Sequence, residues 1–385
     1  MTVNIRIPDA QLGDKDLDDE YVTDAWLIDQ HVGNVLFSCG YNVYGQLGLG
    51  DTTSRSVMTQ VGNLVVWKQI SCGYSSAVAI TTDGKLWGWG YNRNGEIGNG
   101  TTVSYNSPVQ VGPLTNWKQV SLGGGFVNSI KTDGTLWNWG YGLGYSSPVQ
   151  VGSDNKWKQV SAGGNAKMAI NTEGTLWGWG NNAQGALGLG DTTNRGTPTK
   201  VGLNTDWKQV VCGYGIDPNN AQDYTMAVTT DGKLYAWGYN LQGQLGLSNI
   251  VYYSSPVQVG SLTNWKRLSD EVGHSSFAIK TDGTLWAWGL NSSGQLGLGN
   301  TVNYSSPVQI GSLTNWKQIA NKSGVTTAIK TDGTLWAWGN NTSGQLGLGT
   351  IGNYISSPVQ VGSLTYWKQT SSDTRNIGAI TYREI

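Results

Sequence analysis

Short runs of alternating hydrophobic and polar residues recur along the whole chain, and four of them make up each repeat. The runs read P-V-Q-V-G, W-K-Q-V-S, A-I-K-T and T-L-W-x-W-G, and each has the length of one β-strand. No helical pattern of hydrophobic residues at i, i+3, i+4 and i+7 stands out. The pattern therefore predicts an all-β protein.

The W-K pair that opens the second run sets the period of the repeat. It occurs seven times, at a mean spacing of about 50 residues. Four-stranded units of this kind, repeated around a closed ring, form a β-propeller. The pairs begin at Trp67, Trp117, Trp157, Trp207, Trp265, Trp316 and Trp367.

The two ends of the chain complement each other. The last repeat lacks its T-L-W-x-W-G run, and residues 35–40 near the N-terminus supply an equivalent. We therefore expect a seven-bladed propeller whose closing blade is shared between the termini, because closure removes exposed strand edges. Segments 25–28 and 378–381 both match the third strand of that blade. The predicted domain is 25–385, with blades at about 57–90, 108–140, 148–180, 198–238, 256–289, 307–339, and 358–381 with 25–40.

Two kinds of connection recur with the runs. Asp-Gly separates the A-I-K-T and T-L-W-x-W-G runs and favours a two-residue type I′ hairpin turn. The glycine-rich phrase N-x-x-G-Q-L-G-L-G follows, and without a Gly-Lys-Ser/Thr it indicates a packed connector rather than a phosphate-binding loop. Its fixed aliphatic residues are Leu47, Ile97, Leu187, Leu245, Leu296 and Leu346.

Composition and charge argue against several functional classes. The formal net charge is −1, so the basic surface typical of a nucleic-acid-binding protein is not indicated. The widely spaced Cys39, Cys72 and Cys212 fit neither a zinc site nor a disulfide framework. We expect no metal, no cofactor, no signal peptide and no membrane-spanning segment. Residues 1–24 are rich in aspartate and are predicted to form a solvated acidic arm.

The phrases A-I-K-T-D-G-T-L-W-x-W-G and G-Q-L-G-x-G resemble the regulator of chromosome condensation repeat family over residues 25–381. The resemblance implies a seven-bladed propeller. Members of that family include a guanine-nucleotide exchange factor, ubiquitin-ligase modules and a bacterial inhibitor of β-lactamases, which implies a propeller face that holds another protein. The near-identical repeats are similar to bacterial and bacteriophage members, and the histidine common in eukaryotic repeats stands here at His274 alone.

Three consecutive repeats depart from the common pattern just after the W-K-Q run. The first four copies have an apolar or small residue followed by glycine at this place, whereas the last three have polar or charged pairs. Charged groups require solvent or partners. Because equivalent positions share one face of a ring, we expect a partner-binding arc there, with drift at a solvated rim as the alternative. Its candidate residues are Asp270, Glu271, His274, Lys322, Asp373 and Arg375.

Two connections differ in length from their counterparts in the other repeats and are candidate docking surfaces. The connector 141–147 lacks the G-Q-L-G-x-G phrase, which predicts a notch, and 213–224 contains an insertion. Both are also ordinary places for tolerated length variation. The candidate residues of the inserted docking loop are Ile216, Asp217, Asn219, Asn220 and Asp223.

Together these features favour a non-enzymatic protein that binds partner proteins. With only two histidines, no pairing of a nucleophile with a base is visible. The first hypothesis is a structural component of a bacteriophage virion that contacts other virion proteins or a host surface. The alternative is a regulatory propeller of the exchange-factor or enzyme-inhibitor type. Outside a virion, we expect a soluble protein.

Overall fold

The structure is a computed structural model that describes residues 32–73, 75–213 and 222–384. These residues form 28 β-strands and no helix, so none of them belongs to a helix that could cross a membrane. The strands make seven antiparallel four-stranded sheets, arranged as blades around a central channel. The prediction of an all-β, seven-bladed propeller is therefore confirmed.

Each of six blades is a meander whose strands run from the channel to the rim in chain order. The W-K-Q run forms the inner strand, and the P-V-Q run forms the outer strand. Blade 1 comprises β3 (Trp67–Cys72), β4 (Ser76–Thr81), β5 (Leu86–Gly90) and β6 (Tyr105–Gln110), and blade 2 comprises β7 (Trp117–Leu122), β8 (Phe126–Lys131), β9 (Leu136–Gly140) and β10 (Tyr145–Gln150). Blade 3 comprises β11 (Trp157–Ala162), β12 (Ala166–Asn171), β13 (Leu176–Gly180) and β14 (Arg195–Lys200), and blade 4 comprises β15 (Trp207–Cys212), β16 (Tyr224–Thr229), β17 (Leu234–Gly238) and β18 (Tyr253–Gln258). Blade 5 comprises β19 (Trp265–Leu268), β20 (Ser275–Lys280), β21 (Leu285–Gly289) and β22 (Tyr304–Gln309), and blade 6 comprises β23 (Trp316–Lys322), β24 (Val325–Lys330), β25 (Leu335–Gly339) and β26 (Ile355–Gln360).

The closing blade takes two strands from each end of the chain. Its order from the channel is β27 (Trp367–Ser372), β28 (Asn376–Glu384), β1 (Val32–Gly40) and β2 (Arg55–Gln60). Strand β28 pairs with β27 on one side and with all nine residues of β1 on the other. Residues 378–381 therefore complete this blade, whereas the competing segment 25–28 and the predicted arm 1–24 lie outside the described residues.

The predicted blade boundaries were displaced by one strand. The ranges such as 57–90 began with the P-V-Q run, but the structure pairs that run with the preceding T-L-W-x-W-G strand, as β6 pairs with β5. Likewise, β26 belongs to blade 6 rather than to the closing blade predicted at 358–381 with 25–40. The short connector after P-V-Q resembles a tight turn in sequence, yet it crosses from the rim of one blade to the channel side of the next.

The two faces of the ring carry different connections. The hairpin face carries the Asp-Gly turns and the short connectors that lead to each inner strand. The long-loop face carries the turns that follow the inner strands and the glycine-rich connectors between the third and fourth strands. This division follows from the antiparallel meander, in which successive connections alternate between the two ends of a blade.

The Asp-Gly turns contain three residues rather than the two predicted. In blade 1, the amide of Thr81 donates to the carbonyl of Lys85 (3.0 Å), and Gly84 lies at φ 79°. Because the aspartate has negative φ, the turn is a type I turn closed by a glycine bulge rather than type I′. The Asp133 carboxylate accepts a hydrogen bond from the amide of Thr135 (2.9 Å), which supports a structural role for the repeated acid.

The glycine-rich connectors are packed against the neighbouring blade, as predicted. Their aliphatic residues are at most 1% exposed, so each closes the gap between two blades. The carbonyl before the aliphatic residue accepts a hydrogen bond from a tryptophan of the next blade. We call each contact between neighbouring blades a seam. In the seam between the closing blade and blade 1, the Trp89 indole donates to Gln46 O (3.0 Å), and in the seam between blades 1 and 2, Trp139 donates to Glu96 O (3.1 Å).

Candidate functional site

Glutamines of the W-K-Q runs join the inner strands around the channel. The Gln69 side chain donates to Val120 O (2.9 Å) of the next blade and accepts from Val120 N (3.0 Å). These amides satisfy backbone groups at the inner edge of a sheet, which would otherwise have no partner. The six glutamines that bridge in this way are Gln69, Gln119, Gln159, Gln209, Gln318 and Gln369.

A second set of bridges comes from the serine two residues further along the same strands. Ser71 Oγ accepts a hydrogen bond from the amide of Leu122 (3.0 Å). Sequence reasoning missed both sets, although the signal was present as a Gln-x-Ser spacing repeated in several copies. The serines that bridge are Ser71, Ser121, Ser161 and Ser371.

Blade 5 breaks the ring of glutamines. Its inner strand β19 ends at Leu268, and Arg267 stands where the other blades have glutamine. The Arg267 guanidinium donates to both carboxylate oxygens of Asp270 (2.6 and 2.7 Å). Asp270 in turn accepts from the Gln318 side chain (2.6 Å), so an ion pair replaces the usual amide bridge between blades 5 and 6.

Glu271 reaches from blade 5 across the channel. Its Oε1 accepts hydrogen bonds from the hydroxyls of Ser71 (3.2 Å) and Ser371 (2.7 Å), and its Oε2 accepts from the amide of Ser372 (3.0 Å). These partners belong to blade 1 and to the closing blade, so one carboxylate connects three blades. Glu271 also lines the central cavity of about 300 Å³.

Lys322 crosses the channel from blade 6. Its Nζ donates to the carbonyls of Cys72 and Leu122, both at 3.0 Å, in blades 1 and 2. Its charge acts on the carboxyls of Glu271 and Asp373, whose pKa values it lowers against the effect of burial. Glu271 and Lys322 together form a polar plug at the long-loop end of the channel.

The candidate residues therefore do not form the exposed arc that was predicted, nor a solvated rim. Asp270, Glu271 and Lys322 line the channel or the small cavity that adjoins it. Asp373 is buried within reach of the Lys322 charge, and Lys322 is 3% exposed and Asp373 1%. His274 is buried outside this group and packs edge-on against Tyr239, with ring centroids 6.2 Å apart. Arg375 alone of the six is exposed, and it lies over the ring of Tyr41 at 5.1 Å.

The predicted docking loop is described only at Asp223, because Ile216, Asp217, Asn219 and Asn220 lie outside the described residues. The Asp223 carboxylate is buried and accepts hydrogen bonds from the amides of residues 164–166, at 2.7 to 2.8 Å. Burial raises its pKa to about 6. Asp223 thus holds a turn of blade 3 against blade 4 and is not available to a docking partner.

Burial shifts the pKa values of Glu271 and His274 in opposite directions. It raises the pKa of Glu271 to about 7, although Lys322 and the hydrogen bonds oppose the shift. It lowers the pKa of His274 to about 4. It also raises the pKa of all three cysteine thiols, so none of them is an activated nucleophile. The described residues contain no group of three His, Cys, Asp or Glu side chains placed to hold a metal ion.

Glu271 should make the stability of the protein depend on pH. Between about pH 4.5 and 7 the folded protein retains a proton that the unfolded chain has released, so this residue lowers the free energy of unfolding as pH rises. The Glu271→Gln variant lacks this titration. As pH rises through that interval, we therefore expect its free energy of unfolding to increase by roughly 1–3 kcal/mol relative to that of the wild type. Urea denaturation of both proteins at pH 5, 6, 7 and 8 measures the difference. The lowered pKa of His274 makes stability rise with pH, but it does so equally in both proteins. If the two proteins differed in stability by the same amount at every pH, the raised pKa of Glu271 would be contradicted.

A ring of seven lysines surrounds the channel on the hairpin face. Each is the residue after the tryptophan that opens an inner strand; six are exposed and Lys368 is half-buried. Within the described part of the chain, none of them forms an ion pair. The ring is a local basic surface that the net charge of −1 conceals. Its members are Lys68, Lys118, Lys158, Lys208, Lys266, Lys317 and Lys368.

A ring of exposed leucines lies on the same face, in six of the seven short connectors. These residues are between 41% and 89% exposed. Among the described residues no acid of the neighbouring turns forms an ion pair with a lysine of the ring, and Asp83 and Asp231 pair with Lys85 and Lys233 instead. The leucines are Leu64, Leu114, Leu203, Leu262, Leu313 and Leu364.

Curated relatives resemble parts of the chain. It is 35% identical over 130 residues to the ultraviolet-B receptor UVR8 of Arabidopsis thaliana, a match that covers 33% of this chain and 28% of that protein. It is 33% identical over 132 residues to the X-linked retinitis pigmentosa GTPase regulator of Canis lupus familiaris, covering 34% and 13%. The matched regions are thus less than a third of each relative.

Solved structures match almost the whole fold. Prp20p of Saccharomyces cerevisiae superposes with a TM-score of 0.78 at 18% identity, covering 91% of each chain. Human WBSCR16 superposes with a TM-score of 0.78 at 19% identity, covering 90% of this chain and 98% of that one. At this identity the similarity concerns the fold alone.

The repeat itself matches a family model, the regulator of chromosome condensation (RCC1) repeat. The matched segments are 34–80, 83–128, 173–216, 231–270, 282–328 and 332–372, and together they cover more than half of the chain. They include the inner strands of every blade except blade 3, whose inner strand lies in the unmatched residues 129–172. The chain therefore belongs to the RCC1 repeat family.

Proposed function

We propose that this propeller is a non-enzymatic regulator that holds a protein partner on its hairpin face. The observation that carries the proposal is the pair of rings on that face, seven lysines and six exposed leucines. Protein interfaces combine buried apolar contacts with a polar, charged surround, and charge complementarity steers the encounter. An acidic protein surface fits a ring of lysines.

The channel does not favour catalysis. The two carboxylates that line it are committed to interactions within the protein: Asp270 pairs with Arg267, and Glu271 accepts three hydrogen bonds. A general base or nucleophile must instead reach a substrate atom. We assign these residues to holding the blades together.

The relatives are consistent with a regulatory role. One is named a receptor and another a GTPase regulator, and Prp20p is described as binding Gsp1p and histones. The hypothesis of a bacteriophage virion component would require a partner-binding face as well. The relatives named above come from a plant, a dog, a yeast and a human, so they give the virion and bacteriophage assignments no support. We therefore favour the regulatory alternative.

Affinity capture from extracts of the source organism, treated with nuclease, tests the proposal. The variant Leu114→Ser/Lys118→Glu/Leu313→Ser changes the hairpin face, and Val103→Ser/Arg93→Glu/Val302→Ser changes exposed positions on the long-loop face to a matched extent. We expect the first variant to recover a protein partner at least about tenfold less than the wild type, because removal of a central contact costs more than 1 kcal/mol of binding free energy. The second variant should retain the partner. Equal recovery by the two variants would refute the proposal.

A further inference from the structure

One of the seven seams between blades lacks the loop that seals the other six. The connector after β9 is a turn of four residues, 141–144, whereas the other third strands are followed by a long glycine-rich loop. The seam between blades 2 and 3 therefore has no inserted aliphatic side chain. Its buried apolar cluster is Ile130, Leu136, Trp157, Val160, Ala169 and Trp179, the smallest of the seven clusters.

The missing loop leaves a hydrogen-bond donor without its usual acceptor. In five blades the second tryptophan of W-x-W donates to a loop carbonyl of the preceding blade, at 2.8 to 3.1 Å. In the closing blade Cys39 stands in that position, and its thiol makes the same contact with Gln345 O at 3.5 Å. Trp179 of blade 3 is the exception at this position of the repeat: its indole N–H is buried and has no partner among the described residues, as is also true of the inner-strand tryptophans.

A buried amide in the same seam is also unpartnered. Asn128 is fully buried, and neither its Nδ2 nor its Oδ1 has a partner within the described chain. It lies two residues before Ile130 on β8, so both side chains point to the same side of the strand, toward Trp179. Its register partner on β9 is Asn138, whereas the equivalent pair is Val78 with Gly88 in blade 1. Unsatisfied buried amides are costly, which argues that a ligand pairs with them.

We propose that this seam, on the long-loop face, binds a short extended segment of a partner protein that takes the place of the absent loop. An aliphatic side chain of the segment enters the seam, and the carbonyl before it accepts the hydrogen bond of Trp179. The segment's own backbone amide and carbonyl pair with Asn128. Because the site lies on the face opposite the lysine and leucine rings, it does not depend on the function proposed above.

The loops of the sealed seams indicate the sequence that the partner needs. Glycine must follow the aliphatic residue, since Gly98 lies at φ 84° and a Cβ there would be 2.5 Å from Nε1 of Trp139. The residue before it contributes only its carbonyl to the tryptophan, and glutamine, glutamate and alanine all serve there. The expected ligand is therefore a segment of the pattern Gly-x-Leu/Ile-Gly.

Titration of the full chain with a synthetic peptide of residues 291–299, NSSGQLGLG, tests this inference. With ¹⁵N-labelled tryptophan, the indole resonance of Trp179, assigned with Trp179→Phe, should shift and saturate while the other indoles stay in place. The same peptide with Leu296→Asp should cause no shift. An unmoved Trp179 resonance, or an equal response to both peptides, would overturn the proposal.

Two variants sharpen the test, with affinity measured by fluorescence polarisation of the labelled peptide. We expect Trp179→Phe to weaken binding about tenfold, because the peptide carbonyl loses its donor, and Trp139→Phe in a sealed seam to change it less than about twofold. Replacement of 141–144 by a complete loop, with the sequence of 290–303, should abolish binding. Retention of binding by that chimera would place the peptide elsewhere and refute the inference.

Discussion

A chain that ends at Arg375 should lose the cooperative unfolding of the intact protein. It lacks β28, which lies between β27 and β1 in the closing blade and pairs with both. The ring would open between the two ends of the chain and expose both strand edges. The truncation also removes the buried side chains of Ile377, Ala379 and Ile380.

The expected loss is large. Burial of each isoleucine stabilises the fold by about 1.5–3 kcal/mol, and the nine-residue ladder with β1 is lost in addition. We expect the melting temperature to fall by at least about 10 °C, and blades next to the break to be cleaved first by a protease. Differential scanning calorimetry and limited proteolysis measure the two effects.

Deletion of residues 1–24 is the matched control, because it shortens the other end without removing a described strand. That variant should melt within about 2 °C of the intact protein. If the chain truncated after Arg375 melted as cooperatively and at the same temperature as the control, closure through β28 would be wrong.

The second large effect is expected for Lys322→Met, which should destabilise the fold by about 3–5 kcal/mol at pH 8. The substitution keeps an unbranched side chain of similar length but removes the charge near two buried carboxyls, Glu271 and Asp373. It also removes the donor to Cys72 O and Leu122 O. Urea denaturation monitored by tryptophan fluorescence gives the loss directly.

Three measurements separate this loss from a general effect of removing lysine. Lys118→Met, at an exposed position of the lysine ring, should change stability by less than about 0.5 kcal/mol. Addition of Glu271→Gln to Lys322→Met should restore at least about 1 kcal/mol, since one uncompensated charge is then gone. The cost of Lys322→Met should also be smaller at pH 5, where Glu271 is protonated. The same cost at both pH values would contradict the pairing.

The sequence predicted the architecture well because the fold is built from local signals. The seven W-K pairs count the blades, and Asp133-Gly134 marks a hairpin wherever the phrase recurs. The strand at which each blade begins was not predictable in the same way. Which of two flanking strands pairs with T-L-W-x-W-G depends on a crossing between blades, and the lengths of the connectors favoured the wrong choice.

The site was harder to predict than the fold. The sequence located the departures at Glu271 and Lys322, but it predicted an exposed partner-binding arc because charged residues are usually exposed. Whether a side chain turns outward or into the channel depends on partners from distant blades, such as Ser371, which lies 100 residues from Glu271. The lysine ring was visible in every W-K pair but was treated as part of the scaffold.

The pairing of Val32 with Glu384 has a practical consequence for how this protein can be handled. These residues are the first of β1 and the last of β28, and strand partners have Cα atoms about 5 Å apart. Asn34, two residues into β1, accepts a hydrogen bond from Lys368 of the lysine ring (3.1 Å), so a tag fused directly to Val32 or to Glu384 would emerge beside the surface proposed to bind a partner. A circular permutant that joins 384 to 32 and opens within a long loop would move both ends to the opposite face and leave every described strand intact.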